Sequence, residues 1–323
     1  MQETTEIQNQ SEWNALVEER HGHPLQLWQW GELKASTGPW TAHRVVVKDD
    51  GRVIGGAQIL VRDLPWPFRA ISYAPRGPFA DDDAQLARVA DACADWCKEH
   101  VSSVSLKIDP AVESLELGGS WVKGKYIMLA KTAAIDLTPD EDTIMKGLHS
   151  KKARQYIRKA GRNGVVCRPA VEADLDAILA IYHDTAANDH FPLHPDEYYR
   201  AAFALFGDAG QLFVAEHEGR VLSFLWNITS ANGTAFELWG GVNDEGKTLR
   251  ANYLLKWTAI LAAKEKGAVL YDLNGLLNDG ISEFKMLFAN EPIYWVGTFD
   301  KPLSPWYHLW NTALKIRSRI RKG

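Results

Sequence analysis

The chain has 323 residues, of which 46% are hydrophobic and 24% charged, and its 36 Lys and Arg against 41 Asp and Glu leave a formal net charge of −5. That length and apolar content predict two ordinary globular domains and exclude a disordered chain, and the acidic balance excludes nucleic-acid binding driven by bulk charge, so a polyanion would have to meet a local basic surface. Cys93, Cys97 and Cys167 are odd in number and lack metal-ligand spacing, the first residues are polar, and no apolar run approaches the roughly 18 to 20 residues of a membrane span, which together predict a reducing, cytoplasmic setting.

Taken in chain order, the pattern predicts helices over Glu12 to Glu19 and Trp28 to Ala35 and a hairpin turning at Asp49, Asp50 and Gly51. A strand at Ala70 to Tyr73, a helix at Ala84 to His100, a strand at Val104 to Ile108 and another at Tyr126 to Leu137 complete a first domain over residues 1–140. Thr138, Pro139, Asp140 and Glu141 form a capping region that is expected to begin a basic helix over 148–163, the opening of a second domain that runs to 299. Lys151, Lys152, Arg154, Arg158, Lys159 and Arg162 crowd this helix, while Tyr156, Ile157 and Ala160 recur at the spacing of a buried stripe. The helix is thus expected to pack by one face and offer cations to RNA or a diphosphate on the other, although a solvated charged face would give the same composition.

Val165 to Pro169 reads as a strand, Glu172 to Thr185 as a helix, and a second helix follows Pro195. Strands at Gln211 to Glu216 and Arg220 to Thr229 flank the turn His217, Glu218 and Gly219, and Thr234 to Trp239 adds a third. A long helix over Leu249 to Lys266, a strand over Ala268 to Leu273, a short helix over Ile281 to Phe288 and a last strand over Ile293 to Phe299 follow. This order resembles the N-acetyltransferase (GNAT-like) fold, and the first half reads similarly, so the expected fold class is α/β (α+β): two GNAT-like domains, each a mixed, mainly antiparallel sheet flanked by helices. An acyl-CoA enzyme of that fold needs backbone amides at a helix N-terminus to cradle the pyrophosphate. The corresponding loop, Gly240 to Thr248, carries Asp244 and Glu245 and lacks the Arg/Gln-x-x-Gly-x-Gly/Ala arrangement, which disfavours acyl-CoA.

Ser150 to Ala160 with Asn163, Gly164 and Val165, the strand end Leu106 to Pro110, the turn Tyr73 to Pro78, the run Tyr271 to Gly275, and Phe284 with Lys285 together resemble the Fem-type peptidyltransferases. The resemblance spans about Trp28 to Asp300, without the helical arm of some members. It implies transfer of an amino acid from aminoacyl-tRNA, a co-substrate in place of any cofactor, to a stem-peptide amine of a lipid-linked or UDP-linked peptidoglycan precursor. It further implies that Lys285 is the catalytic lysine, that Phe284 shapes the wall beside it, and that Asp109 orders hydrogen bonds at the site or merely caps a turn. Lys34 and Tyr198 match precursor-binding positions, while His194 stands where better-known members have an arginine and Trp239 where they have a tyrosine. A histidine supplies neither a permanent charge nor a bidentate fork.

No Ser-His-Asp or Cys-His constellation is evident, so no covalent acyl-enzyme is expected, and His21 and His23 lack the carboxylate or cysteine a metal would need. The segment Pro302 to Trp310, aromatic, leads into the basic stretch Leu314 to Gly323, the composition of a segment lying on an anionic membrane surface or of a packed terminal helix with a basic end. A monomer is expected. An acyl-CoA N-acyltransferase and a non-catalytic RNA-binding or membrane-associated scaffold remain the alternatives.

Overall fold

The computed structural model describes residues 2–277 and 279–320, the side chains of 317–320 excepted. The chain divides into two compact units: Met1–Ala130 with Trp295–Gly323, and Lys131–Tyr294.

The first unit is built on a sheet whose strands run Gln2–Glu6, Thr41–Asp49, Arg52–Asp63, Ala70–Ala74, Ser103–Ile108, Phe299–Pro302 and Val122–Lys123 across it, with Phe79–Ala80 pairing off the third. Ala70–Ala74 and Ser103–Ile108 run parallel, and parallel neighbours require a crossover, supplied here by the helix Asp83–His100. Asp82 caps that helix by accepting from the Gln85 amide at 2.8 Å, and Leu86, Val89, Ala90, Cys93, Ala94 and Cys97 form the stripe it buries. Cys93 and Cys97 are therefore core residues. Gly55, at φ +157°, lies where an added Cβ would come within 2.3 Å of the Phe79 carbonyl oxygen, so only glycine lets the short strand pair there. The N-terminal strand Gln2–Glu6 was not legible in the sequence, because its polar residues alternate without an apolar face and the edge pairing with Thr41–Asp49 alone defines it.

The second unit's sheet runs Pro292–Tyr294, Lys131–Asp136, Leu270–Asp272, Thr234–Val242, Arg220–Thr229, Gly210–His217 and Val166–Pro169, with one parallel pair, Thr234–Val242 on Leu270–Asp272. Lys151–Arg162 and Ala251–Glu265 pack together on its core, where Ala153, Ile157, Ala160, Leu255, Ala259 and Ile260 are buried. Burying each large aliphatic side chain contributes on the order of 1.5–3 kcal/mol before chain entropy is counted.

Four boundaries differ from expectation. The strand expected over Tyr126 to Leu137 is confined to Lys131–Asp136 and pairs in the second sheet, not the first. The strand expected over Ile293 to Phe299 is two pieces: Pro292–Tyr294 joins Lys131–Asp136, whereas Phe299–Pro302 returns to the first sheet beside Ser103–Ile108. Asp140 caps a separate short helix, Glu141–Gly147, by accepting from Thr143 N at 2.9 Å, and the basic helix has its own cap at Ser150, which accepts from Lys152 N. The long helix expected from Leu249 is interrupted at Arg250, left-handed at φ 64°, into Asp244–Leu249 and Ala251–Glu265.

Candidate active site

Lys285 ends the short helix Gly280–Lys285, which Asp279 caps through Ser282 N at 2.8 Å. Its half-buried ammonium donates to the Gly275 carbonyl at 3.2 Å and lies 3.5 Å from that of Asn274. Both carbonyls are presented by a turn in which Asn274 is left-handed at φ 63°, a conformation that asparagine tolerates better than most residues. The turn is fixed from three sides: Asn274 N donates to Asp272 Oδ1 at 2.7 Å, Asn274 Nδ2 to the Glu237 carbonyl at 2.9 Å, and Gly275 N to Asn274 Oδ1. Burial pushes the Lys285 ammonium below its ordinary pKa; the Glu237 carboxylate opposes that shift and the Lys256 ammonium adds to it.

Glu237 and Lys256 form an ion pair, with side chains 9% and 3% exposed. Tyr271 Oη donates to Glu237 Oε2 at 3.3 Å and to Asn227 Oδ1 at 3.2 Å, and Thr132 Oγ1 to Asp272 Oδ1. Sequence reasoning singled out the run Tyr271 to Gly275 but missed Glu237 and Lys256, which stand on different elements and carry no spacing signal. Phe284 packs edge-on against Tyr253 and Phe288, with ring centroids 5.0 and 5.4 Å away, and the Lys256 ammonium sits 5.5 Å from its ring centre. The same short helix lines a pocket of about 360 Å³ with Asp279, Ser282 and Glu283; Leu276, Leu277 and Met286 are also in its wall, whereas Lys285 is not.

His194, Tyr198 and Trp239 come together in the second unit. His194 stacks on Tyr198, ring centroids 4.0 Å apart, and Tyr198 meets Trp239 edge-on at 5.9 Å. Tyr199, unremarked in the sequence, joins them: its hydroxyl accepts from His194 N at 3.1 Å and its ring lies 5.1 Å from Trp239. Burial raises the Tyr198 hydroxyl above the ordinary tyrosine range, so it acts as a neutral hydrogen-bonding group. Phe206 stacks parallel to Trp239 and, with Phe203 and Trp226, walls a second pocket of about 350 Å³.

The five cations Lys151, Lys152, Arg158, Lys159 and Arg162 are exposed along the basic helix, as the pattern predicts. Arg154 is different: it is half-buried and donates to the carbonyls of Leu148 and Lys146, holding the break between the two helices. The inward stripe is Ala153, Ile157 and Ala160. Tyr156 instead packs edge-on against Tyr253 and under the Arg250 guanidinium. Gly164, at φ +82°, ends the helix and lets Val165 N reach back to the Ala160 carbonyl at 3.1 Å, which explains the Asn163-Gly164-Val165 run.

Lys34 and Asp109 belong to the first unit and keep separate company. The Lys34 ammonium lies over the Trp30 ring at 4.5 Å, and burial brings its pKa down to about 8. Asp109 is wholly buried; Tyr73 Oη donates to one carboxylate oxygen at 2.8 Å and Arg76 N to the other at 2.7 Å. The carboxylate thus anchors the Tyr73 to Pro78 turn, which is the turn-holding one of the two roles expected of it. Burial raises its pKa to about 6, against the Arg76 charge and its hydrogen bonds. A raised folded-state pKa means that this group's contribution to stability is complete below the ordinary carboxylate pKa and is lost as pH climbs to about 6. Asp109→Asn is therefore expected to flatten the decline in urea midpoint between about pH 4 and 7, and an unchanged pH slope would refute that assignment. Of the other sequence candidates, His23 accepts from Leu25 N at 3.1 Å to cap a short 3-10 turn.

These geometries, two mixed sheets flanked by helices, match solved structures of the same class. The crystal structure of FemX superposes with a TM-score of 0.83 over 95% of this chain and 99% of its own, at 21% identity. The C-terminal domain of a putative lysylphosphatidylglycerol synthetase from Agrobacterium fabrum superposes with a TM-score of 0.55, at 13% identity. The acetyltransferase (GNAT) domain family matches residues 148–286, so the chain is a mixed α/β protein of GNAT-like fold. Among sequence relatives, the UDP-N-acetylmuramoylpentapeptide-lysine N(6)-alanyltransferase of Weissella viridescens is 27% identical over 88% of this chain and 90% of its own length. A lipid II:glycine glycyltransferase of Staphylococcus epidermidis is 21% identical over 99% and 97%. The chain's homologues are Fem-type transferases. The staphylococcal alignment extends over 413 residues against 323 here, so that relative carries inserted segments which this compact chain lacks.

Proposed function

We propose that the chain is a tRNA-dependent aminoacyltransferase that adds an amino acid to the side-chain amine of a peptidoglycan precursor's stem peptide, building the interpeptide bridge. The amine attacks the ester carbonyl of the aminoacyl-tRNA, the tetrahedral oxyanion collapses, and the ribose oxygen leaves with the proton lost by the amine. The observation that carries this reading is Lys285, a half-buried cation fixed by two carbonyls and backed by a buried ionic network. A pre-oriented charge of that kind stabilises an oxyanion more than the neutral ester that precedes it. The names of the relatives support the acceptor: one acts on a UDP-linked pentapeptide and the other on lipid II.

The acyl-CoA alternative needs an open helix N-terminus after the strand Thr234–Val242. There, Asn243 Oδ1 accepts from Gly246 N at 2.8 Å, Asp244 pairs with Lys247 and Glu245 with Arg220, so the position is filled by its own cap and two carboxylates, which repel a pyrophosphate.

The test is transfer of radiolabelled amino acids from a charged tRNA mixture to UDP-linked and lipid-linked precursors in parallel. Label on either acceptor supports the proposal and identifies which precursor is used. Label on neither, with active charged tRNA present, returns the acyl-CoA or scaffold reading. The exposed basic helix makes a separate prediction: the pair of changes Arg158→Glu and Lys159→Glu weakens tRNA binding and reduces the slope of log K against log salt by about 1 for each phosphate no longer neutralised. Filter binding over a salt series measures it, and an unaltered slope would move the RNA to another surface. Arg154 is unsuited to this test because of its structural hydrogen bonds.

A further inference from the structure

Among the described side chains of the C-terminal helix Tyr307–Ile320 one apolar face is covered and another is exposed. Tyr307 is buried and donates to Asp300 Oδ2 at 2.9 Å, the Trp310 ring packs 5.1 Å from Phe68, and Leu314 is half-buried, a stripe at spacings of three and four. On the opposite face Leu309 and Ile316 are 51% and 53% exposed, with Ala313 between them also exposed and Trp306 just ahead at 42%. A solvated helix face would be polar there.

The first unit extends this stripe with a second element. Trp66, 83% exposed, lies beside Trp306 with ring centroids 6.5 Å apart. It stands on a tight turn closed by Leu64 N donating to the Arg69 carbonyl at 2.6 Å and Phe68 N to that of Pro65 at 3.0 Å, with Arg62 and Arg69 exposed on either side. From Lys301 to Gly323 the sequence has no acidic residue and six basic ones, Lys301, Lys315, Arg317, Arg319, Arg321 and Lys322, the last four outside the described side chains, in a chain whose net charge is −5.

We propose that Trp66, Trp306, Leu309 and Ile316 form a docking face for an anionic lipid bilayer. Indole rings suit the headgroup level and aliphatic side chains the acyl boundary just beneath it, while cations on the same segment are drawn to anionic headgroups. Exposed aliphatic residues between the aromatics favour a membrane over RNA, which stacks on rings and binds charge but has no use for Leu309 and Ile316. A bilayer here deepens the proposed reaction by bringing the enzyme to where a lipid-linked acceptor resides. The proposed face uses none of the transfer residues, so lipid binding and transfer fail separately.

The experiment is flotation of the full chain with vesicles of phosphatidylcholine alone and of phosphatidylcholine containing phosphatidylglycerol, at low and high salt. The chain is expected to float with the anionic vesicles at low salt and far less with the neutral ones. The variant Trp66→Ala, Leu309→Ser, Ile316→Ser should lose at least about tenfold in partitioning, and Lys315→Gln about fivefold. All these positions are exposed, so the variants retain the fold and transfer to a soluble UDP-linked precursor. Absence of flotation with anionic vesicles, or equal flotation of the triple variant, would overturn the proposal. So would RNA binding, or concentration-dependent self-association, lost in the triple variant while flotation is unchanged.

Discussion

Lys285→Ala is expected to lower kcat by about 10²–10³-fold while leaving tRNA affinity within a few-fold of the parent, because a positioned charge at a developing oxyanion acts mainly in the transition state. Single-turnover transfer with filter binding on the same samples measures both. Loss of affinity equal to the loss of rate would instead make Lys285 a ground-state contact, and full activity would remove it from the reaction. The pH profile carries the sign. The charged form of Lys285 is the active one, so its contribution is complete at low pH and is lost as pH rises through the Lys285 pKa, whereas the acceptor amine, which must be neutral to attack, sets a separate acidic limb. Burial lowers the Lys285 pKa, and the alkaline limb is therefore expected at lower pH than a solvent-exposed lysine would give. Lys285→Arg, whose guanidinium does not deprotonate, should lose that limb even if its rate is poor.

Lys256→Met has the largest expected effect on stability, because it leaves the Glu237 carboxylate buried without its cation. Removing one partner of a buried pair costs about 3–5 kcal/mol. Tyr271 remains as a donor to Glu237 and compensates in part. The double change Lys256→Met with Glu237→Gln, which removes both charges, is expected to recover more than half of the loss. Urea unfolding of the four proteins forms the cycle, and equal destabilisation in single and double variants would argue against a paired charge. The single variant should also move the pH profile. Lys256 depresses the Lys285 pKa and Glu237 raises it, so deleting the former and keeping the latter shifts the alkaline limb of transfer to higher pH.

Much of the architecture was legible because helix and strand periods are local. The helix over Asp83–His100, the hairpin at His217 to Gly219 and the amphipathic Lys151–Arg162 follow from spacing alone. Pairing is not local. Lys131–Asp136 has the same strand character whichever sheet accepts it, and nothing in its own residues says that Leu270–Asp272 and Pro292–Tyr294 are its neighbours. A break such as Arg250 is similarly hidden, since an arginine in the left-handed region has no sequence signature. Among site residues, Lys285, Phe284, His194 and Tyr198 were all reached through resemblance. Glu237 and Lys256 were not reached: 19 residues separate them, and a glutamate in a strand pairing with a lysine in a helix looks like two unrelated surface charges until the fold removes both from water.

The path of the chain has one further consequence, for the order in which the protein can form. The first sheet accepts Phe299–Pro302 between Ser103–Ile108 and Val122–Lys123, so the first 130 residues leave the ribosome without the strand that joins those two. The uninterrupted segment Lys131–Tyr294, by contrast, holds every strand of its own sheet. During synthesis the Lys131–Tyr294 unit can close before the first unit, whose sheet keeps an open edge until Phe299–Pro302 emerges. Open strand edges invite pairing with other chains, which makes Phe299–Pro302, translated after the whole second unit, the strand that seals the first.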